Sequence, residues 1–242
     1  MVKMYSKIRE KFIQIIKEHG LEEEEVIVKA KPLTSQEAIG NPEEDDYPLV
    51  KGKERLMQAE FKNSFGQAFT DMYGNYKGKL TDIVKMELKN NFRRAIFIST
   101  LNAVMRYLKL TDKTVHCKNQ EPRECSEKLV VYIREKFSNL HKIAIVGFQP
   151  RMVEALGKSF KVRVTDLDSD NIGKEKFGVH IDDINKTEEN LKWCDLALVT
   201  GTTVVNSSIE NFLISKPVIF YGVTIAGVAG LLDLNQFCPL ST

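Results

Sequence analysis

The sequence predicts an α/β protein in two parts: a smaller α+β domain over residues 1–110, and over residues 111–242 a parallel sheet with helices on both faces. Three observations lead there. Beyond about residue 120, short uninterrupted apolar runs alternate with helix-length segments, the pattern of parallel strands buried on both sides. Before residue 110 that alternation is missing; strand-like segments group together and helical ones follow, as in α+β domains. The length of 242 residues allows one domain or two. At roughly 70–75 % of unfolded surface buried, such a chain needs neither a disulfide nor a structural metal for stability.

In the first part, 1-MVKMYSKIREKFIQIIKEHG-20 carries charges throughout and lacks the apolar core of a secretory signal. Met4, Ile8, Phe12 and Ile15 recur every three or four residues, so the segment is an amphipathic helix that stops at Gly20 and packs on a core. The alternation in 26-VIVKAKPL-33 predicts a half-exposed strand. Residues 34–53, with Gly40, Pro42, Pro48 and Gly52, are expected to be a loop. Strands follow around 54-ERLMQAEF-61 and 65-FGQAFTD-71. The clearest helix is 92-FRRAIFISTLNAVMRYLKL-110, with Phe97, Leu101, Val104 and Leu108 on one stripe.

In the second part a helix near 123–137 leads into the strand 143-IAIV-146. A helix near 151–158 and the strand 162-VRVT-165 come next, then a short strand at 179-VHI-181 and a helix near 187–193. The strand 196-LALVT-200, a helix near 205–214, the strand 218-VIFY-221 and a helix near 225–232 complete the series.

Open parallel sheets bind ligands beyond the carboxyl ends of their strands, so the residues at those ends are the candidates for a site. At 147-GFQP-150, Gly147 permits a tight turn and Pro150 suits the first turn of a helix, whose free N–H groups attract anions. The glycine pattern of a dinucleotide site is incomplete there, with Gln149 and Met152 at the second and third positions. Asp166 ends the next strand nineteen residues beyond Gly147, a separation at which an acid can hold ribose hydroxyls. Asp168 and Asp170 read as a solvated turn. At Thr200–Gly201–Thr202–Thr203, the glycine lets the backbone approach a ligand and the hydroxyls donate and accept; Asn206 joins them. Ser207 and Glu210 fit a capping box. In 221-YGVTIAG-227, Gly222 ends a strand and Thr224 is placed to cap the last helix.

Other classes find less support. The formal net charge is +2 with no concentrated basic stripe, which argues against nucleic acid as a partner. The longest uncharged run, Pro217 to Leu232, is too short and too rich in glycine to span a bilayer, so no membrane partner is expected and the protein is read as cytoplasmic. The four cysteines are widely spaced without a CxxC pair, and His116–Cys117 with Cys125 does not match usual zinc spacing. Cys194 reads as core and Cys238 as the exposed thiol. No serine, histidine and carboxylate set can be assembled, so no catalytic residue is named.

The stretch 195-DLALVTGTTVVNSSIENFL-213, with 147-GFQP-150 upstream and 222-GVTIAG-227 downstream, resembles an uncharacterised prokaryotic family labelled putative heavy-metal chelation. The helix containing 100-TLNAV-104 is similar to that family's signature in the first domain. The resemblance implies an enolase-N-terminal-like domain followed by a Rossmann-like domain, with a site between them. It puts Gly147, Pro150, Thr200, Gly201, Thr202, Thr203, Asn206 and Gly222 at motif positions, and Asn102 facing them from the first domain. Soft metals prefer thiolate and imidazole, whereas these positions offer hydroxyls, an amide and backbone N–H groups. The expected function is therefore binding of a small polar or anionic organic molecule, a metal ion or metal chelate included, in the cleft between the domains. The alternative is an enzyme using a nucleotide or S-adenosylmethionine, with Asp166 on the ribose. A small molecule is the expected partner, and a homodimer is compatible with this reading.

Overall fold

The computed structural model describes residues 2–29, 33–48, 50–51 and 54–242. The first unit runs α1 (Val2–Glu18), β1 (Glu25–Lys29), α2 (Ser35–Ile39), β2 (Arg55–Phe61), β3 (Ser64–Thr70), β4 (Gly78–Lys79), α3 (Leu80–Lys85) and α4 (Asn91–Tyr107). Its four strands form an antiparallel sheet in the order β3-β2-β1-β4. The strand expected at 26–33 is present through Lys29; residues 30–32 lie outside the described residues, as do Leu49, Gly52 and Lys53 of the expected loop. That loop also contains α2. Thr34 caps it with a reciprocal capping box, its hydroxyl accepting from Glu37 N while the Glu37 carboxylate accepts from Thr34 N.

The second unit runs α5 (Glu121–Lys136), β5 (Lys142–Val146), α6 (Pro150–Gly157), β6 (Lys161–Asp166), β7 (Glu175–Lys176), β8 (Val179–Asp183), α7 (Thr187–Trp193), β9 (Leu196–Thr200), β10 (Val218–Tyr221), α8 (Ala226–Leu232) and β11 (Gln236–Phe237). These strands form one sheet in the order β11-β10-β9-β5-β6-β8-β7, parallel except for the β7–β8 hairpin. The predicted architecture, a parallel sheet flanked by helices beside a smaller antiparallel sheet, is what the chain adopts.

Strand alternation assigns the two faces of the parallel sheet. Ile143, Ile145, Leu196, Leu198 and Ile219 pack with α5 and α6. Ala144, Ala197, Val199 and Phe220 point the other way, into a core that also holds Phe12 of α1, Phe61 of β2 and Phe97 of α4. The first unit is thus built onto one face of the second, and they share apolar packing. Helix α4 lies at the centre, with every residue from Ala95 to Met105 buried, so it is enclosed all round rather than along a single stripe. Gly66 permits this closeness: a Cβ there would stand 2.2 Å from Ala103 N and 2.3 Å from Ser99 O.

One predicted helix is absent. Residues 205–214 form no α-helix; short 3-10 turns at Gly201–Val204 and Ile209–Phe212 take its place. Ser207 has φ +66°, which an α-helix cannot contain, and the expected capping box does not form. Glu210 instead accepts a 2.7 Å bond from Met4 N, tying α1 to the second unit.

Candidate functional site

The turn after β9 follows from its sequence. Thr200 caps it by accepting from Thr202 N, the Thr200 and Thr202 hydroxyls lie 2.6 Å apart, and the Thr203 hydroxyl donates to Thr200 O at 2.7 Å. The turn is packed more tightly than a ligand loop needs. A Cβ on Gly201 would meet Ile225 N at 2.9 Å and Tyr221 O at 3.1 Å, so its bareness serves a contact within the second unit. Thr203 is buried, and Asn206 Oδ1 accepts from Ser208 N and Ser208 Oγ. Val204 O and Val205 O accept from Tyr5 Oη at the first helix and from Arg94 Nε at 2.5 Å. This stretch is a seam joining the units. Thr200, Thr202 and Asn206 keep partial exposure along it.

Asn102 does face the second unit from α4, but it is fully buried and its amide is consumed there. Nδ2 donates to Gln67 O at 2.8 Å and Val223 O at 3.1 Å, and Oδ1 accepts from Gly227 N at 2.7 Å. It is a tether between the units, with no amide hydrogen left for a ligand. Thr224 is a second tether: its hydroxyl accepts from Phe69 N at 3.0 Å, and it caps no helix. Gly222 has φ +88° and gives its carbonyl to Gln236 Nε2. Pro150 occupies the first turn of α6, as expected, and is buried.

A different group of side chains opens beside this seam. Gly147 turns the chain after β5 at φ +89°, and a Cβ there would press on Thr200 Cγ2 at 2.8 Å and Tyr221 Oη at 3.0 Å. Tyr221 donates to Gly147 O at 2.7 Å. Asp166 accepts from Phe148 N and Asp168 N with its two oxygens, so it fastens the β5 and β6 loops together. Burial nevertheless pushes its carboxyl above the usual range. From the first unit comes Glu54, immediately before β2. It is half-buried, and desolvation, then the negative charges of Asp166, Asp71 and Asp168, push its pKa up to about 7. The Tyr221 hydroxyl is raised by its burial first and then by the charges of Asp166 and Glu54.

Carboxyl groups of both units thus act on one another here, Asp166, Asp71 and Asp168 on Glu54, with no basic side chain among the described residues offsetting Glu54, although the Lys176 ammonium acts on Asp168. Sequence reasoning missed Glu54 and Asp71 because each sits at a strand end with no motif; only the packing of one sheet on the other brings them to Asp166. Next to these acids in the chain, Leu167, Met72 and Tyr73 are exposed by 66 %, 44 % and 48 %, and the Arg55 guanidinium lies over the Tyr73 ring.

The parallel-sheet unit and its loops carry the sequence likeness. Residues 133–230 match the family described as Putative heavy-metal chelation. Two solved structures of that family, titled as proteins of unknown function from DUF364, share the fold across most of this chain. One is from Pyrococcus horikoshii, at 16 % identity and TM-score 0.59, covering 91 % of this chain and 79 % of that one. The other is from Desulfitobacterium hafniense DCB-2, at 13 % identity and TM-score 0.56, covering 96 % and 84 %. No curated protein matches the sequence. The family's description supports a metal-related binding role. The side chains do not fit a bare heavy-metal ion: among the described residues no three His, Cys, Asp or Glu could share one. Cys238 is buried rather than exposed, and all four thiols are raised by burial, which disfavours the thiolate that soft metals need.

Proposed function

We propose that the protein binds a small molecule bearing positive charge, and that this molecule is a metal complex bringing its own ligands, in the cleft where Glu54 of the first unit meets Asp166 of the second. The observation that carries this reading is that acids of both units act on one another here: the charges of Asp166, Asp71 and Asp168 reach Glu54, and no basic side chain among the described residues offsets them at Glu54. Like-charged acids in an enclosed site repel one another, and a cation relieves that repulsion. An anionic ligand would aggravate it, so the acids speak against the anionic ligand expected from sequence and for a cationic metal chelate. Thr200 and Thr202 supply hydroxyls to the complex, the negative charges of Asp166 and Asp168 attract it while their oxygens stay on the loop N–H groups, and Leu167, Met72 and Tyr73 cover its apolar parts. The nucleotide alternative finds less support, because both Asp166 oxygens already accept backbone N–H groups instead of standing free for a ribose diol.

Hexaamminecobalt(III) is a suitable probe: it is cationic, rich in N–H donors and exchanges its ligands too slowly to bind protein directly. Native mass spectrometry and elemental analysis of gently purified protein should find a retained metal-bearing species that Glu54→Gln loses. Recovery of an adenosine compound, or of an anion without metal, would refute the reading.

A further inference from the structure

Residues 41–48 cross from the first unit onto the second without joining a helix or strand, and charge holds them there. Arg151, in the first turn of α6 and only 6 % exposed, contacts Asp46 at 2.6 Å, Glu154 at 2.7 Å and Glu44 at 3.6 Å. Arg123 of α5 grips Glu44 closely and reaches Glu154 at 3.7 Å. Phe177, beside the β7–β8 hairpin turn, places its ring centre 5.0 Å from the Arg151 guanidinium carbon.

The network is poorly satisfied. Four buried side-chain polar atoms among the described residues have no hydrogen-bond partner, and three are here: Glu44 Oε2, Asp46 Oδ1 and Arg151 Nε. Each orphan cancels part of what the ion pairs contribute. Apolar anchoring of the segment comes from Tyr47, packed with Ala38, Ile39, Leu56 and Val223. Leu56 of that cluster stands two residues beyond Glu54 in the chain, so the clamped segment packs on the strand that begins just after Glu54.

We infer that residues 41–48 are an electrostatic latch, in which Arg151 clamps Asp46 and Glu44 and thereby holds Glu54 in the cleft. Arg151 is a positioning residue for that site. Its importance for binding rests on the cation reading above; the latch itself does not. The test uses the full chain as wild type, Arg151→Met and Asp46→Asn, the last lying on the segment and clear of the core should Arg151→Met fold poorly. Hydrogen exchange followed by mass spectrometry should show residues 41–48 exchanging at least about tenfold faster in both variants, with α4 and β5 unchanged. Carboxyl-carbon NMR should show the Glu54 midpoint falling toward ordinary carboxylate values in both. Direct charge effects alone predict a rise in Arg151→Met, which removes a cation, and a fall in Asp46→Asn. Unchanged exchange, or opposite movements of Glu54, overturns the latch. If both results hold and wild type ignores hexaamminecobalt(III), the latch stands and the cleft reading falls.

Discussion

At Glu54 the folded chain keeps a proton that a free carboxyl gives up near pH 4.5, because the ionised form would be partly desolvated and near the charges of Asp166, Asp71 and Asp168. A native pKa raised to about 7 means the folded state binds the proton more tightly than the unfolded one. The associated stability is complete below pH 4.5 and is lost as pH rises through 7. Glu54→Gln cannot ionise, so urea unfolding should find it more stable than wild type at pH 8, by up to about 3 kcal/mol, and nearly equal at pH 4.5. Asn102 has the opposite character. Its replacement by alanine strands Gly227 N and the Gln67 and Val223 carbonyls in a dry interior, at a cost of about 3 kcal/mol in the same assay. Affinity for hexaamminecobalt(III) should hardly change in the folded variant, since the amide serves the fold. The motif made Asn102 visible in the sequence but could not say which role it played. A polar residue on an otherwise apolar helix looks the same whether its partner is a ligand or a neighbouring backbone.

Among the elements, legibility followed local cause. The strands β5, β6, β9 and β10 are written as uninterrupted apolar runs because both faces of their sheet are covered. Helix α2 was equally readable in principle through Thr34 and Glu37, but the surrounding glycines and prolines masked a capping box of only five helical residues. Residues 205–214 show the converse. Val204, Val205, Ile209 and Phe212 are spaced as on a helix, yet their burial is achieved by two separate turns pivoting at Ser207, and Glu210 is drawn away to Met4. Long-range packing decided that segment. The contact between β3 and α4 is another such case, and it yields a sharp expectation. Gly66→Ala would force a methyl into the α4 backbone, so the sheet and helix must separate, at a cost of at least about 3 kcal/mol seen as a lower urea midpoint.

For the whole molecule, the apolar core does not stop at the predicted boundary near residue 110. Phe12, Phe61 and Phe97 belong to the same cluster as Val199, Phe220 and Val228, and the tethers Asn102, Thr224 and Glu210 cross between the same two units. Two units so joined should unfold together, giving one calorimetric transition whose calorimetric and van't Hoff enthalpies agree; two resolved transitions would show independent units. That shared packing also fixes Glu54 relative to Asp166, which a flexible hinge would not. The most direct measurement is a calorimetric titration of hexaamminecobalt(III) into the full chain at pH 8, with Glu54→Gln and Asp166→Asn beside wild type. One site should bind in wild type and weaken at least about tenfold in either variant, a residue from each unit being needed. Equal binding by all three proteins, or none by wild type, would contradict a cation site shared between the units.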